Sequence, residues 1–177
     1  MNTNTKGEKF KNVLVWIAPL LIAVLIVAIL FLFVHPGVVS GISMLPNYHS
    51  GDRFFIIKDW CVTEYDYEDV VCVETEGSML IKRIIGLPGD LIEFKDGAVY
   101  RNGEKLDESA YLPEGTQTTI ASNRPTVYEL GDDEYFVLGD NRQVSRDSRS
   151  FGEVSSIMGK TWFFYRASWF KGSANSN

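Results

Sequence analysis

The sequence predicts a mostly β, antiparallel domain preceded by one N-terminal transmembrane helix. Three observations carry this. Residues 13–34, VLVWIAPLLIAVLIVAILFLFV, hold no charge. Beyond them the chain breaks into short segments rich in β-branched and aromatic residues. Two of the breaks, Asp96-Gly97 and Asn102-Gly103, are dipeptides that tolerate positive φ and close two-residue hairpins.

The uncharged run comes first. As a helix it is roughly 33 Å long at about 1.5 Å per residue, and a hydrocarbon core needs about 20 apolar residues. A core helix of that length keeps a polar face, and this run has none. Pro19 is tolerable in lipid as a kink. A cleavable targeting segment would use an apolar stretch of about 7–15 residues with a small-x-small site soon after, so an uncleaved anchor fits better. Lys6, Lys9 and Lys11 precede the run against Glu8 alone. By the positive-inside rule residues 1–12 are cytoplasmic, and the chain beyond the span at 13–34 is extracytoplasmic.

The anchor changes the meaning of the averages. A chain of 177 residues with net charge −6 and mean hydropathy −0.04 resembles a small acidic soluble protein. Residues 1–12 contribute +2, and the remainder carries 14 basic against 22 acidic residues, or −8. That balance excludes a nucleic-acid partner of the usual basic kind and leaves membrane lipid as the partner of the anchor. Two His and two Cys leave no metal site beyond carboxylates, and none is expected.

The outer domain spans 35–171, with a polar tail at 172–177 expected to be disordered. Strand-like segments fall at 53–58, 69–74, 79–85, 91–95, 98–101, 126–130, 134–138 and 161–166. The last, TWFFYR, suits a final core strand, and Trp169-Phe170 beyond it suits a lipid interface. Cys61 and Cys72 lie on neighbouring segments, so a disulfide and two free thiols are both open.

Three places hold chemistry. Ser43 lies nine residues after the anchor, within about 30 Å of the membrane surface even in extended chain. A serine nucleophile needs a base. His49 is six residues on, in a polar loop. Lys82, in LIKRII, alternates with Leu80 and Ile84 on a strand face. Turned inward it would be desolvated, which favours the neutral amine. Residues 139–152, GDNRQVSRDSRSFG, pack two Asp, three Arg and three Ser between glycines. Asp140, Asp147, Arg142 and Arg149 are placed for mutual ion pairs in a rigid loop beside a site.

Together these segments resemble the type I signal peptidases, membrane-anchored serine proteases. The similarity lies in an ordered set: the anchor, Ser43-Met44-x-Pro46, Gly51-Asp52, Lys82-Arg83 leading into Gly86-x-Pro88-Gly89-Asp90, then Gly139-Asp140-Asn141-Arg142 with Ser145, Asp147, Ser148, Arg149 and Gly152. The resemblance implies an antiparallel β catalytic domain shared with self-cleaving repressors, no cofactor, and signal peptides of exported preproteins as substrates. It implies Ser43 as nucleophile and Lys82 as neutral general base, a variant of triad logic. Ser145 matches the position whose hydroxyl orients the lysine amine. Asp147 and Arg149 match a supporting ion pair, and Arg83 a structural residue. Val39, Gly41, Ile42, Met44, Leu80 and Ile81 are the expected substrate-binding walls, selecting small-x-small sites. Gly41 stands where some members carry a serine that donates to the oxyanion. Asn47 stands where threonine is usual. Only 48 residues separate Asp90 from Gly139, which resembles the compact Gram-positive form. Two readings compete. Ser168-x-x-Lys171 formally matches a penicillin-binding acyltransferase, without its other elements. A tethered non-enzymatic scaffold would make Ser43 and Lys82 incidental.

Overall fold

A computed structural model describes residues 5–75 and 77–166. It comprises two compact units, residues 1–35 and 36–177, each described by itself. Trp169-Phe170, Ser168-x-x-Lys171 and the tail at 172–177 lie outside the described residues.

The first unit is one helix, α1 (Thr5–Phe33), with Pro19 inside it. Val15–Phe33 is long and apolar enough to cross a membrane, and none of it is buried. An apolar stretch of this length left exposed is what lipid would cover.

The second unit is almost wholly antiparallel β. One sheet runs in the order β1 (Val34–Val38), β2 (Arg53–Lys58), β10 (Ile157–Tyr165), β3 (Val70–Thr75), β4 (Ser78–Gly86), β9 (Phe136–Leu138). A smaller sheet runs β7 (Glu104–Lys105), β6 (Ala98–Arg101), β5 (Leu91–Lys95), β8 (Val127–Glu129). The expected strands at 53–58, 91–95 and 98–101 stand with the same bounds. Asp96 and Asn102 take φ of 52° and 54°, as the hairpin dipeptides require. Strands β1 and β7 had no sequence signal. VHPGV carries a proline and a glycine, and a two-residue strand has no period to detect. After α1, the one α-helix among the described residues is the single turn α2 (Ser148–Phe151).

The long strand β4 ties the domain together. Its start pairs with β3, aligning Val71 with Lys82 and Cys72 with Ile81. Its end pairs with β9, aligning Arg83 with Leu138. Ile85 then enters the core between the sheets with Ile92, Phe94, Val99, Phe136 and Leu138. Strand β10 is central, as TWFFYR suggested, but a bulge between Thr161 and Phe163 breaks the alternation and leaves Trp162 70% exposed. Cys61 ends a 3-10 turn (Asp59–Cys61) instead of lying on a strand, and both cysteines are free thiols.

Candidate active site

Ser43 opens a tight turn after β1, closed by Leu45 N–H donating to the Ile42 carbonyl and Tyr48 N–H to Met44. Its neighbour Met44 is fully buried, which pins the turn to the core. A second loop holds it from the other side. Asn141 donates its backbone N–H to the Ser43 carbonyl (2.9 Å) and its side-chain amide to the Ile42 carbonyl (3.1 Å). Gly139 makes this approach possible: a Cβ there would stand 2.5 Å from the Ser43 carbonyl oxygen and run into Ser145 Oγ.

Strand β4 delivers the lysine. Lys82 is 1% exposed, and its Nζ lies 2.9 Å from Ser43 Oγ and 2.7 Å from the Ile81 carbonyl oxygen. Burial lowers its pKa from 10.5 to about 8, with Asp147, Asp140 and Cys72 pulling weakly the other way. Burial also pushes the Cys72 thiol up to about 11, so it stays protonated beside the amine. The geometry suits a neutral amine: one N–H meets the Ile81 carbonyl, and the lone pair is free to accept the Ser43 hydroxyl proton.

Ion pairs buttress both loops, only in part in the combinations the sequence suggested. Asp147 and Arg149 do pair, at 2.9 Å, and Asp147 also accepts from Gly139 N–H (3.0 Å). Asp140 instead pairs with Arg83 on β4, through Nε (2.8 Å) and a terminal nitrogen (2.6 Å). Arg142 reaches outside the loop to Glu108 and Thr118. Asn47 donates to both Asp140 and the Tyr111 carbonyl, each at 2.7 Å, joining the nucleophile turn to that network.

Ser145 differs from its implied role. Its Oγ is buried with no hydrogen-bond partner among the described residues, and the Ile81 carbonyl takes the second bond from Lys82. The reason lies in the backbone: Ser145 N–H closes the loop onto the Asn141 carbonyl, and its side chain rests over Gly139. His49 is exposed, its N–H held by Asp52 (2.9 Å).

A cavity of about 120 Å³ opens beside the pair. Val39, Met44, Leu80 and Ile81, four of the residues the resemblance offers as substrate walls, line it. Gly41 and Ile42 are not among its lining residues; both are exposed, Ile42 at 54%. Gly41 takes φ +91°, a left-handed conformation in which a serine would be strained, which accounts for glycine there. Phe54 and Gly37 line the cavity as well, and the sequence offered no reason to choose them.

Residues 11–166 match the family model described as signal peptidase, peptidase S26. The chain belongs to the signal peptidase family S26. A signal peptidase I of Bacillus licheniformis is 38% identical over 159 residues, covering 84% of this chain and 82% of the relative. Signal peptidase IB of Staphylococcus aureus is 34% identical over 184 residues, covering 93% and 96%. A crystal structure of a signal peptidase I from Enterococcus faecalis, 29% identical, overlaps 56% of this chain and 97% of that one with a TM-score of 0.45. Membership in the S26 family makes the chain a peptidase, so the non-enzymatic and acyltransferase readings fall away.

Proposed function

We propose that this chain is a membrane-anchored serine endopeptidase that removes N-terminal signal peptides from exported preproteins after small-x-small sites. The observation that carries the reading is a buried lysine amine 2.9 Å from a serine hydroxyl at the mouth of a small apolar cavity. Residues 13–34 span the membrane, 1–12 are cytoplasmic by the charge of Lys6, Lys9 and Lys11, and 35–171 form the extracytoplasmic catalytic domain. An enzyme tethered at that face meets a membrane-spanning substrate at high effective concentration.

Neutral Lys82 takes the Ser43 proton as Oγ attacks the scissile carbonyl. The Ser43 N–H, which donates to no backbone carbonyl among the described residues, stabilises the oxyanion. The tetrahedral intermediate collapses, and the Lys82 ammonium returns its proton to the departing amine. Lys82 then activates water against the acyl-enzyme. Arg83 with Asp140, and Arg149 with Asp147, hold the strand and loop in position. The substrate binds extended, its alternate side chains entering the cavity between Val39, Met44, Leu80 and Ile81.

The test uses the full chain in lipid vesicles with a preprotein carrying an Ala-x-Ala site. Wild type is expected to release the mature fragment, while Ser43→Ala and Lys82→Arg release none. Cleavage by Ser43→Ala at the wild-type rate would sink the reading.

A further inference from the structure

Residues 106–126, between β7 and β8, form no strand or helix, and a connection that long is uncommon unless it serves a function. It holds none of the motifs that carry the resemblance. It is firmly anchored all the same: Tyr111 and Leu112 belong to the core between the sheets, and Leu106 and Ile120 pack against that core. One turn of it reaches the site. Tyr111 N–H and Leu112 N–H close this turn on the Glu108 carbonyl, at 3.2 and 2.9 Å.

Contacts leave the turn toward each of the three segments that build the site. The Tyr111 carbonyl accepts from the Asn47 amide at 2.7 Å, four residues beyond Ser43. The Tyr111 ring faces the Arg83 guanidinium, whose Cζ is 4.3 Å from the ring centroid, and Arg83 follows Lys82 on β4. Glu108 takes Arg142 of the 139–152 loop through both carboxylate oxygens, at 2.5 and 3.0 Å. The turn also braces itself, the Tyr111 hydroxyl donating to Glu108 at 2.8 Å. Asp140 accepts from the same Asn47 and the same Arg83. The carboxylate grips the guanidinium by its N–H edge, and the ring supports it at the central carbon. The serine turn and the lysine strand thus share two anchors, Asp140 and Tyr111.

Resting on the peptidase reading above, we propose that Tyr111 is a positioning residue that sets the alignment of Ser43 with Lys82. Its carbonyl steadies the serine turn through Asn47, and its ring steadies the lysine strand through Arg83. Attack needs the reacting atoms in register, and a misplacement of about 1 Å can cost about a hundredfold in rate. Tyr111 does not line the cavity beside the pair, so its loss falls on the chemical step and leaves substrate binding alone.

The experiment measures kcat and KM separately for the full chain in lipid vesicles, on a preprotein with an Ala-x-Ala site, below the melting temperature of each variant. Tyr111→Leu keeps apolar bulk and the backbone carbonyl but removes the ring from Arg83. Its kcat is expected to fall at least about tenfold, with KM within about twofold of wild type. Tyr111→Phe, which keeps the ring, is expected to recover most of that loss. Asn47→Ala cuts the other arm at a half-buried position and is expected to lower kcat in the same way, so a Tyr111→Leu chain that fails to fold leaves the question to it. Wild-type kcat in folded Tyr111→Leu or in Asn47→Ala, or a rise in KM with kcat unchanged, would overturn the assignment. So would a Tyr111→Phe chain as slow as Tyr111→Leu. Wild type that cleaves no preprotein would overturn the peptidase reading itself, a different result from an active wild type with unaffected variants.

Discussion

The pH dependence of cleavage follows directly from the burial of Lys82. With a pKa of about 8, about 9% of the chains hold the neutral amine at pH 7, and about 91% at pH 9. At the ordinary value of 10.5 the neutral share at pH 7 would be only about 0.03%, so burial raises the working fraction about 300-fold. The rate kcat/KM on a preprotein should therefore rise about tenfold from pH 7 to pH 9, with a midpoint near 8. A fluorogenic peptide with an Ala-x-Ala site, assayed at constant ionic strength, reads this out. Lys82→Arg, which stays charged, should be inactive across the range. A flat profile between pH 7 and 9, or a midpoint near 10, would refute the claim that the Lys82 amine is the base.

The same shift has a cost for folding. Because the folded pKa lies below the unfolded one, the folded state disfavours the ammonium, and wild-type stability rises with pH between about 8 and 10.5 as the unfolded chain alone keeps the proton. Lys82→Met should therefore melt higher than wild type at pH 7, by up to about 3 kcal/mol, with the gap narrowing across that window; a constant gap in tryptophan-fluorescence melts at pH 7 and 10 argues against it. Asp140→Ala strands the Arg83 guanidinium, whose side chain is 9% exposed, and should cost about 3–5 kcal/mol in the same melts.

Much of the candidate site was legible because its residue types are demanding. The alternation of LIKRII put Lys82 among aliphatics on one strand face and left an inward amine and an edge-strand lysine both open; the structure buries it. The dense polar loop at 139–152 does stand against the nucleophile turn. The pairing of its charges was not legible. Asp140 lies seven residues from Asp147 and bonds Arg83, 57 positions away, because the register of β4 against β9 brings that guanidinium to the loop. Glu108, which takes Arg142, sits in a stretch with no periodic pattern, and so gave no signal. Ser145 shows the limit of a motif: position in a pattern says which residue is present, while the loop's backbone bonds decide where its hydroxyl points.

The sequence by itself determined the apolar helix, the antiparallel hairpins and the serine and lysine, because each depends on local composition, period or turn chemistry. Tertiary structure decided the 2.9 Å between Ser43 and Lys82, the lowered amine pKa, and the contacts of Tyr111 with Asn47 and Arg83. Those are properties of distance and burial between segments far apart in the chain. They arise only when β4, the Ser43 turn and the 139–152 loop are packed together and water is excluded from between them.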